Sequence, residues 1–508
     1  MLAEELVVAK ADIEPDTVLF TIPRSAVLCW ATSELSSLIP AVVQSNGADD
    51  EHGSESGEEG GRTSQDPWTS LILIMIFEFL RGDKSPWKSY LDVLPATFDT
   101  PMFWTENELR ELQASPVVER IGKVEADEMI TKKVLPVIRA HSGVFFPKGS
   151  QEISDEDLFG LAHRMGSTIL AYSFSLENDD SDDEEKGDGC KDGSGCACHG
   201  GDKMVLEDEN GDADADAIES EDDDGWVEDR EDQLPLGMVP MADMLNADAE
   251  FNAHINHGTD VLTATSVRHI KAGEEILNFY GPLSNGELMR RYGYTTEKHE
   301  HFDAIDIPWK LVLDAIVSKI GMSQAGVDKT LESFDPDDLE DPLMIDREFD
   351  EDEEAGRLAT LKSGKILSKL PPVLRRQARA FTKRALREQK KERQKNNQVR
   401  DAREGQNDEN GIAMAAVTDA ITARLSAYPT TLEADLALLR SLEENGPTPT
   451  SSRLRMALRV RIGEKRLLNE AAVLAHEAIQ AGSNKAKKGH EGSGLDEQRG
   501  AKRQRTRY

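Results

Sequence analysis

Two short runs of β-type residues open the chain, LVVA at 6–9 and VLFTIP at 18–23, with an acidic turn containing Pro15 between them. This layout predicts a hairpin at the start of a β-rich domain. Residues 44–66 are almost entirely Gly, Ser and acid, too poor in apolar material to offset the entropy of ordering, and read as a loop. From Trp68 the pattern turns helical. SLILIMIFEFL at 70–80 is too densely apolar for a helix facing solvent, and SPWKSYLDVLP, PMFWTENELREL, VEADEMITKKVLPVIRAH and SDEDLFGLAHRMGSTILAYSF follow it. Thr105 stands three residues before Glu108, the spacing of a capping box. Residues 68–176 are thus predicted to be mainly helical.

The stretch 177–232 is Asp, Glu, Gly and Ser almost throughout, and mutual repulsion is expected to keep it extended. It interrupts a domain, because β-type runs resume after it: LPLGMVPMADMLNADAEFNAHI, then VLTATSVRHI, then EEILNFYG, in which ILNFY reads as a strand. The following SNGELMRRYGY reads as a turn and a capped helix. Beyond about residue 309 the chain is predicted to be helical to its end, through LVLDAIVSKIGM, the basic run PPVLRRQARAFTKRALREQKKERQ, and SSRLRMALRVRIGEKRLLNEAAVLAHEAIQ. From Asn484 a basic, unstructured tail is expected.

Length and charge sharpen this outline. With 508 residues, two or three domains are expected. The formal net charge is -37, but the acids gather in 177–232 and 333–354, so the charge describes insertions more than the folded surface. Basic residues gather at 374–403 and in the terminal AKRQRTR, a pattern compatible with a nuclear import signal or with solvated faces. We expect a nuclear protein, with a cytoplasmic location as the alternative, and no direct contact with nucleic acid. Four cysteines, three of them inside CKDGSGCACH at 190–199, make no disulfide framework and lack paired metal-ligand spacing. No metal is expected. The most apolar run is too short to span a bilayer, and no membrane role is expected.

Two segments carry the densest candidate chemistry, VPMADMLNADAEFNAH at 239–254 and KAGEEILNFYGPLSNGELMRRYGYT at 271–295. Each alone is readable as ordinary turns, strand and helix. Together they resemble the paired motifs of SET-domain protein lysine methyltransferases, and NGELMRRYGY resembles the helix that follows in the Rubisco large-subunit methyltransferase-like subfamily. ADIEPDTVLFTIPRSAVL, SPWKSYLDVLP, PMFWTENEL and MGSTILAYSFSL match that subfamily in order, and AYSF with VPMADMLN points to its ribosomal-lysine branch.

The resemblance implies an α+β chain. A β-rich SET domain at 1–300 would carry a helical insertion at about 30–230, followed by an all-α substrate-binding domain at 301–483 and a tail at 484–508. It implies S-adenosylmethionine as cofactor and a protein lysine as substrate, on a ribosomal protein first and a histone or other nuclear protein next. Tyr280 would be the catalytic tyrosine. Asn246 and Ala247 would lie at the cofactor with Tyr292, Asp243 at the junction of cofactor and substrate, and Tyr172 along the lysine channel. Methyl transfer to an amine needs in-line alignment at about 3 Å and a neutral nitrogen, although a free lysine has a pKa of about 10.4. Two positions depart from the family pattern. The Asn-His pair reads Asn246-Ala247, and Glu4-Glu5-Leu6 stands where a Gly-x-Gly would let backbone approach the cofactor. An impaired SET-fold binding module is therefore the alternative expectation, and a histidine methyltransferase a remoter one.

Overall fold

The computed structural model describes residues 6–40, 66–148, 152–176, 235–334, 339–347, 349–350, 362–363, 367–395, 409–444, 446 and 449–503. The expectations for 177–232 and for the cysteine cluster at 190–199 lie outside these residues.

The β-type run at 18–23 does form a strand, β1 (Val18–Pro23). Its partner, however, comes from the far side of the helical insertion. A helix of fifteen residues, α1 (Pro67–Arg81), starts at Asp66, whose carboxylate accepts from the Thr69 N–H at 2.8 Å, and Pro67 occupies the first turn, where no N–H is needed. Residues 69–78 of α1 are all buried, as the dense apolar pattern requires. The one-turn α2 (Lys88–Leu91) and α3 (Glu106–Arg110) follow, and α3 has both hydrogen bonds of the predicted Thr105–Glu108 capping box. The insertion closes with α4 (Asp155–Tyr172), which packs along α1 and runs into β2 (Ser173–Ser175).

Across the acidic gap the chain returns as β3 (Leu236–Met238) against β2, then β4 (Ala253–His257) and β5 (Val261–Ser266). The principal sheet has the order β1-β5-β4, with Ile22 opposite Leu262 and Ile255 opposite Ala264, all four buried in one apolar cluster. The predicted hairpin between 6–9 and 18–23 is not formed. The Val7 carbonyl instead accepts from the Ile276 N–H at 2.7 Å, the Ala9 N–H donates to the Glu274 carbonyl at 2.9 Å, and Ile13 exchanges bonds with Ile270. Apolar alternation identifies the buried face of a strand and says nothing about its partner. Here the partners lie about 250 residues away.

The predicted strand ILNFY is also replaced. Residues 275–279 make only single bridges, Val8 with Glu275 and Ala247 with Asn278, because the side chain of Asn252 takes the place of a neighbouring strand. The capped helix after it is present as α5 (Asn285–Tyr292), begun by Ser284 and ended by Gly293 at φ 76°.

The C-terminal region is helical as expected, with a small two-stranded ladder, β6 (Ile305–Ile307) and β7 (Leu343–Ile345), packed into its core ahead of the long helices. Around it stand α6 (Trp309–Ile320), α7 (Pro372–Lys395), α8 (Glu409–Ser426), α9 (Leu432–Glu444) and α10 (Pro449–Arg503), the last continuing past Asn484, where the sequence predicts an unstructured tail. On α7, Leu374, Ala378, Phe381 and Ala385 face the core, while Arg375, Arg379, Lys383 and Arg387 are exposed. Helical spacing thus divides the basic run into a packed face and a solvated one.

The two halves share a core of Trp104, Leu112, Val117, Met289, Met456, Ala457 and Val460, drawn from the insertion, α5 and α10. Beside it Asp303, buried and pushed up to about 8 by burial, accepts from the backbone and side-chain amides of Asn285, leaving Oδ2 against Gly463. A Cβ at Gly463 would lie 1.9 Å from that oxygen. Gly463→Ala is therefore expected to destabilise the joint by about 3 kcal/mol, as overpacking of a rigid contact does, measurable as a lowered urea midpoint.

Candidate active site

The two motif segments lie side by side. The Asn278 N–H donates to the Asn246 carbonyl at 2.8 Å and the Asp248 N–H to the Asn278 carbonyl at 3.2 Å, so 246–248 and 278 run parallel. Asn252, fully buried, fixes the approach to this crossing: its amide donates to the Glu275 carbonyl at 2.7 Å and its oxygen accepts from the Leu277 N–H at 2.8 Å. Phe251 and Phe279 stack over the same crossing at 4.7 Å. Chain direction at Tyr280 is thereby set by buried polar bonds and an aromatic pair.

Tyr280 points back across this junction and donates its hydroxyl to the Leu245 carbonyl at 2.8 Å. Its ring stacks on Tyr292 of α5, centroids 4.8 Å apart and planes 24° from parallel, and Tyr294 lies beyond at 6.1 Å. Burial, then the neighbouring tyrosines and Asp243, raises the Tyr280 phenol well above its ordinary range, so it remains a neutral O–H donor. The Tyr294 hydroxyl is buried without a protein partner.

Asp243, two residues before Leu245, is buried at 7% exposure. Tyr90 of α2 donates to its Oδ2 at 2.5 Å, while Oδ1 makes no well-formed hydrogen bond. Burial pushes the Asp243 carboxyl up to about 7, against the lowering effects of the Tyr90 bond and of the backbone N–H groups of Asp243 and Met241. The same burial, with Asp243 nearby, raises Tyr172 at the end of α4. Met241, at φ 82°, makes the turn into this loop in a conformation that few non-glycine residues adopt.

Of the residues singled out in the sequence, Tyr280, Tyr292, Tyr172 and Asp243 thus meet in one region. Asn246 is exposed and its amide donates to Glu275 at 2.8 Å, and Ala247 contributes backbone to the parallel crossing. Tyr90 and Asn252 were not singled out. Tyr90 sits in the noted SPWKSYLDVLP, but nothing local links it to a carboxylate 153 residues away. No group of three His, Cys, Asp or Glu suited to a metal occurs among the described residues.

The SET domain family pattern matches residues 5–281, more than half of the chain. The chain belongs to the SET-domain family. A second pattern, Rubisco LSMT substrate-binding, matches residues 368–468, within the helical region. Among curated relatives of this SET-domain chain, Ribosomal lysine N-methyltransferase 4 of Saccharomyces cerevisiae is 30% identical over 61% of the chain and 53% of the relative. Its Schizosaccharomyces pombe namesake is 27% identical over 62% and 65%. N-lysine methyltransferase SETD6 of Mus musculus is 27% identical over 61% and 52%. The matches thus span between half and two thirds of these relatives. The solved structure of Rubisco LSMT bound to AdoMet superposes with a TM-score of 0.54 at 19% identity, covering 94% of this chain and 85% of that one. It shows that the SET and helical parts share one known fold.

Proposed function

We propose that this chain is an S-adenosylmethionine-dependent protein-lysine N-methyltransferase whose substrate is a ribosomal protein. The observation that carries this reading is the placement of Tyr280: buried, neutral, held by the Leu245 carbonyl and stacked on Tyr292, within a SET fold. A phenol so fixed is preorganised to align an amine and to stabilise the charge redistribution of methyl transfer. The names of the yeast relatives favour the ribosomal class, and the structural neighbours were solved with AdoMet, or with AdoHcy and lysine, bound.

The residues present fit the cofactor. The exposed Asn246 amide, the backbone of Ala247, the Tyr292 ring and the Tyr294 hydroxyl without a partner offer hydrogen-bonding and stacking groups around one junction. When bound, S-adenosylmethionine supplies a methyl group on sulfonium, transferable to a nitrogen lone pair. Asp243 and Tyr172 would line the lysine approach. Residues 1–300 would carry catalysis and 301–483 would dock the substrate, with nuclear residence favoured by the basic terminus. The acidic stretch 177–232 would draw a basic ribosomal protein towards the enzyme.

Incubation with methyl-tritiated S-adenosylmethionine and salt-washed ribosomal proteins, followed by hydrolysis, is expected to yield labelled methyl-lysine. Label in methyl-histidine would contradict the lysine assignment, and label only in added histone the ribosomal one.

A further inference from the structure

A lysine that enters a dry channel as ammonium has no lone pair, so a proton must leave before the methyl group arrives. Tyr280 is poorly suited to take it, because burial keeps its phenol protonated and its hydroxyl is already donated to Leu245. We infer that Asp243 is the proton acceptor for the target ammonium, and that Tyr90 is the positioning residue holding its carboxylate for that step. The inference rests on the lysine methyltransferase reading.

Three observations support it. First, Asp243 is buried in the loop that also supplies the Leu245 carbonyl to Tyr280, so the carboxylate lies two residues from the group that holds the aligning phenol. Second, its two oxygens are unequally used: Oδ2 is tied to Tyr90, while Oδ1 is buried and makes no well-formed hydrogen bond, only the backbone N–H groups of Asp243 and Met241 lying close enough to act on the carboxylate. A buried carboxylate oxygen with an empty lone pair is costly to maintain in a fold, and an arriving N–H donor would satisfy it. Third, the groups facing it are phenols, Tyr90 from α2, Tyr172 from α4 and Tyr280 from the terminal motif, with the backbone N–H groups of Asp243 and Met241 from its own loop, and none of these is a fixed counter-charge. An incoming ammonium would provide that charge.

In the step itself an ammonium N–H bond breaks, the proton forms an O–H bond with Asp243 Oδ1, and the bonding pair stays on nitrogen as the lone pair. The proton later passes to solvent, restoring the carboxylate. Burial brings the two groups together energetically, since it raises the affinity of the carboxyl for a proton and lowers that of the amine. With Asp243 near 7 the acceptor titrates close to neutral pH, where general-base catalysis is most effective. The sign of the pH dependence follows: the acceptor must be ionised, so transfer is lost as pH falls through about 7. The Tyr90 bond favours the ionised form, so its removal moves that loss to higher pH.

The test uses the full chain, with Tyr90→Phe and Asp243→Asn variants. Infrared titration follows the carboxylic C=O band that disappears in Asp243→Asn. Its midpoint is expected to rise by about one pH unit in Tyr90→Phe, the size expected for loss of one hydrogen bond to a charged group. With methyl-tritiated S-adenosylmethionine and salt-washed ribosomal proteins, the acid limb of kcat/KM should move by the same amount, and Asp243→Asn should lose about 100-fold or more. An infrared midpoint unmoved in Tyr90→Phe overturns the positioning role. Full transfer by Asp243→Asn, with an unchanged pH profile, overturns the acceptor role. Absence of transfer by the wild-type chain overturns the methyltransferase reading itself, and with it the assigned step.

Discussion

Tyr280→Phe is expected to lower methyl transfer by about 100-fold or more, while the protein loses only about 1 kcal/mol of stability. The asymmetry follows from what the hydroxyl touches. The ring keeps its stacking on Tyr292 and its buried position, so packing is preserved, and the folded state gives up one hydrogen bond to the Leu245 carbonyl. The chemistry gives up the only part of the side chain that can orient an amine. Single-turnover methyl transfer beside a urea unfolding curve separates the two effects. A variant that unfolds much more easily would assign Tyr280 a structural role instead.

Asn252→Ala is expected to have the opposite profile, with a large loss in stability and a loss of activity that follows from it. Its side chain fully satisfies one backbone donor and one backbone acceptor in a buried setting, at Leu277 and Glu275. Truncation leaves both groups without partners at about 1–3 kcal/mol each, so a total near 4 kcal/mol is expected. The segment 275–279 is otherwise held only by isolated backbone bonds, to Val7, Asn246, Asp248, Asn252 and Ala253, so Tyr280 should lose part of its fixed direction along with stability. Denaturant unfolding checks the first effect. Substituting Asn252 by Asp, which keeps the acceptor for Leu277 and loses the donor to Glu275, should fall between wild type and alanine.

These two residues also mark what was legible in the sequence and what was not. Tyr280, Tyr292 and Asp243 were readable because they sit in two short motifs whose order carries the family resemblance, and the structure brings them to one junction. The helix at 67–81 and the Thr105–Glu108 cap were readable because each is decided within one or two turns of chain. Asn252 was not, since a polar residue before a strand looks like a turn until its burial is known. Tyr90 escaped for a different reason: its helix was recognised, but its partner Asp243 lies across the acidic insertion. The failed hairpin has the same origin, because β1 and the run before it satisfy their backbones with segments from the second half of the SET domain. Local pattern reports what a segment buries, while long-range pairing decides against what.

Catalysis at Tyr280 requires that this junction bind the methyl donor, with Ala247 following Asn246 and Glu4-Glu5-Leu6 where the family resemblance leads one to expect Gly-x-Gly. The backbone of 7–9 closes onto 273–276. Calorimetric titration of the full chain with S-adenosylmethionine decides the matter. Saturable heat with one site per chain, retained in Tyr280→Phe, is expected of a methyltransferase; no heat with folded wild-type protein would leave a SET-fold binding module in its place.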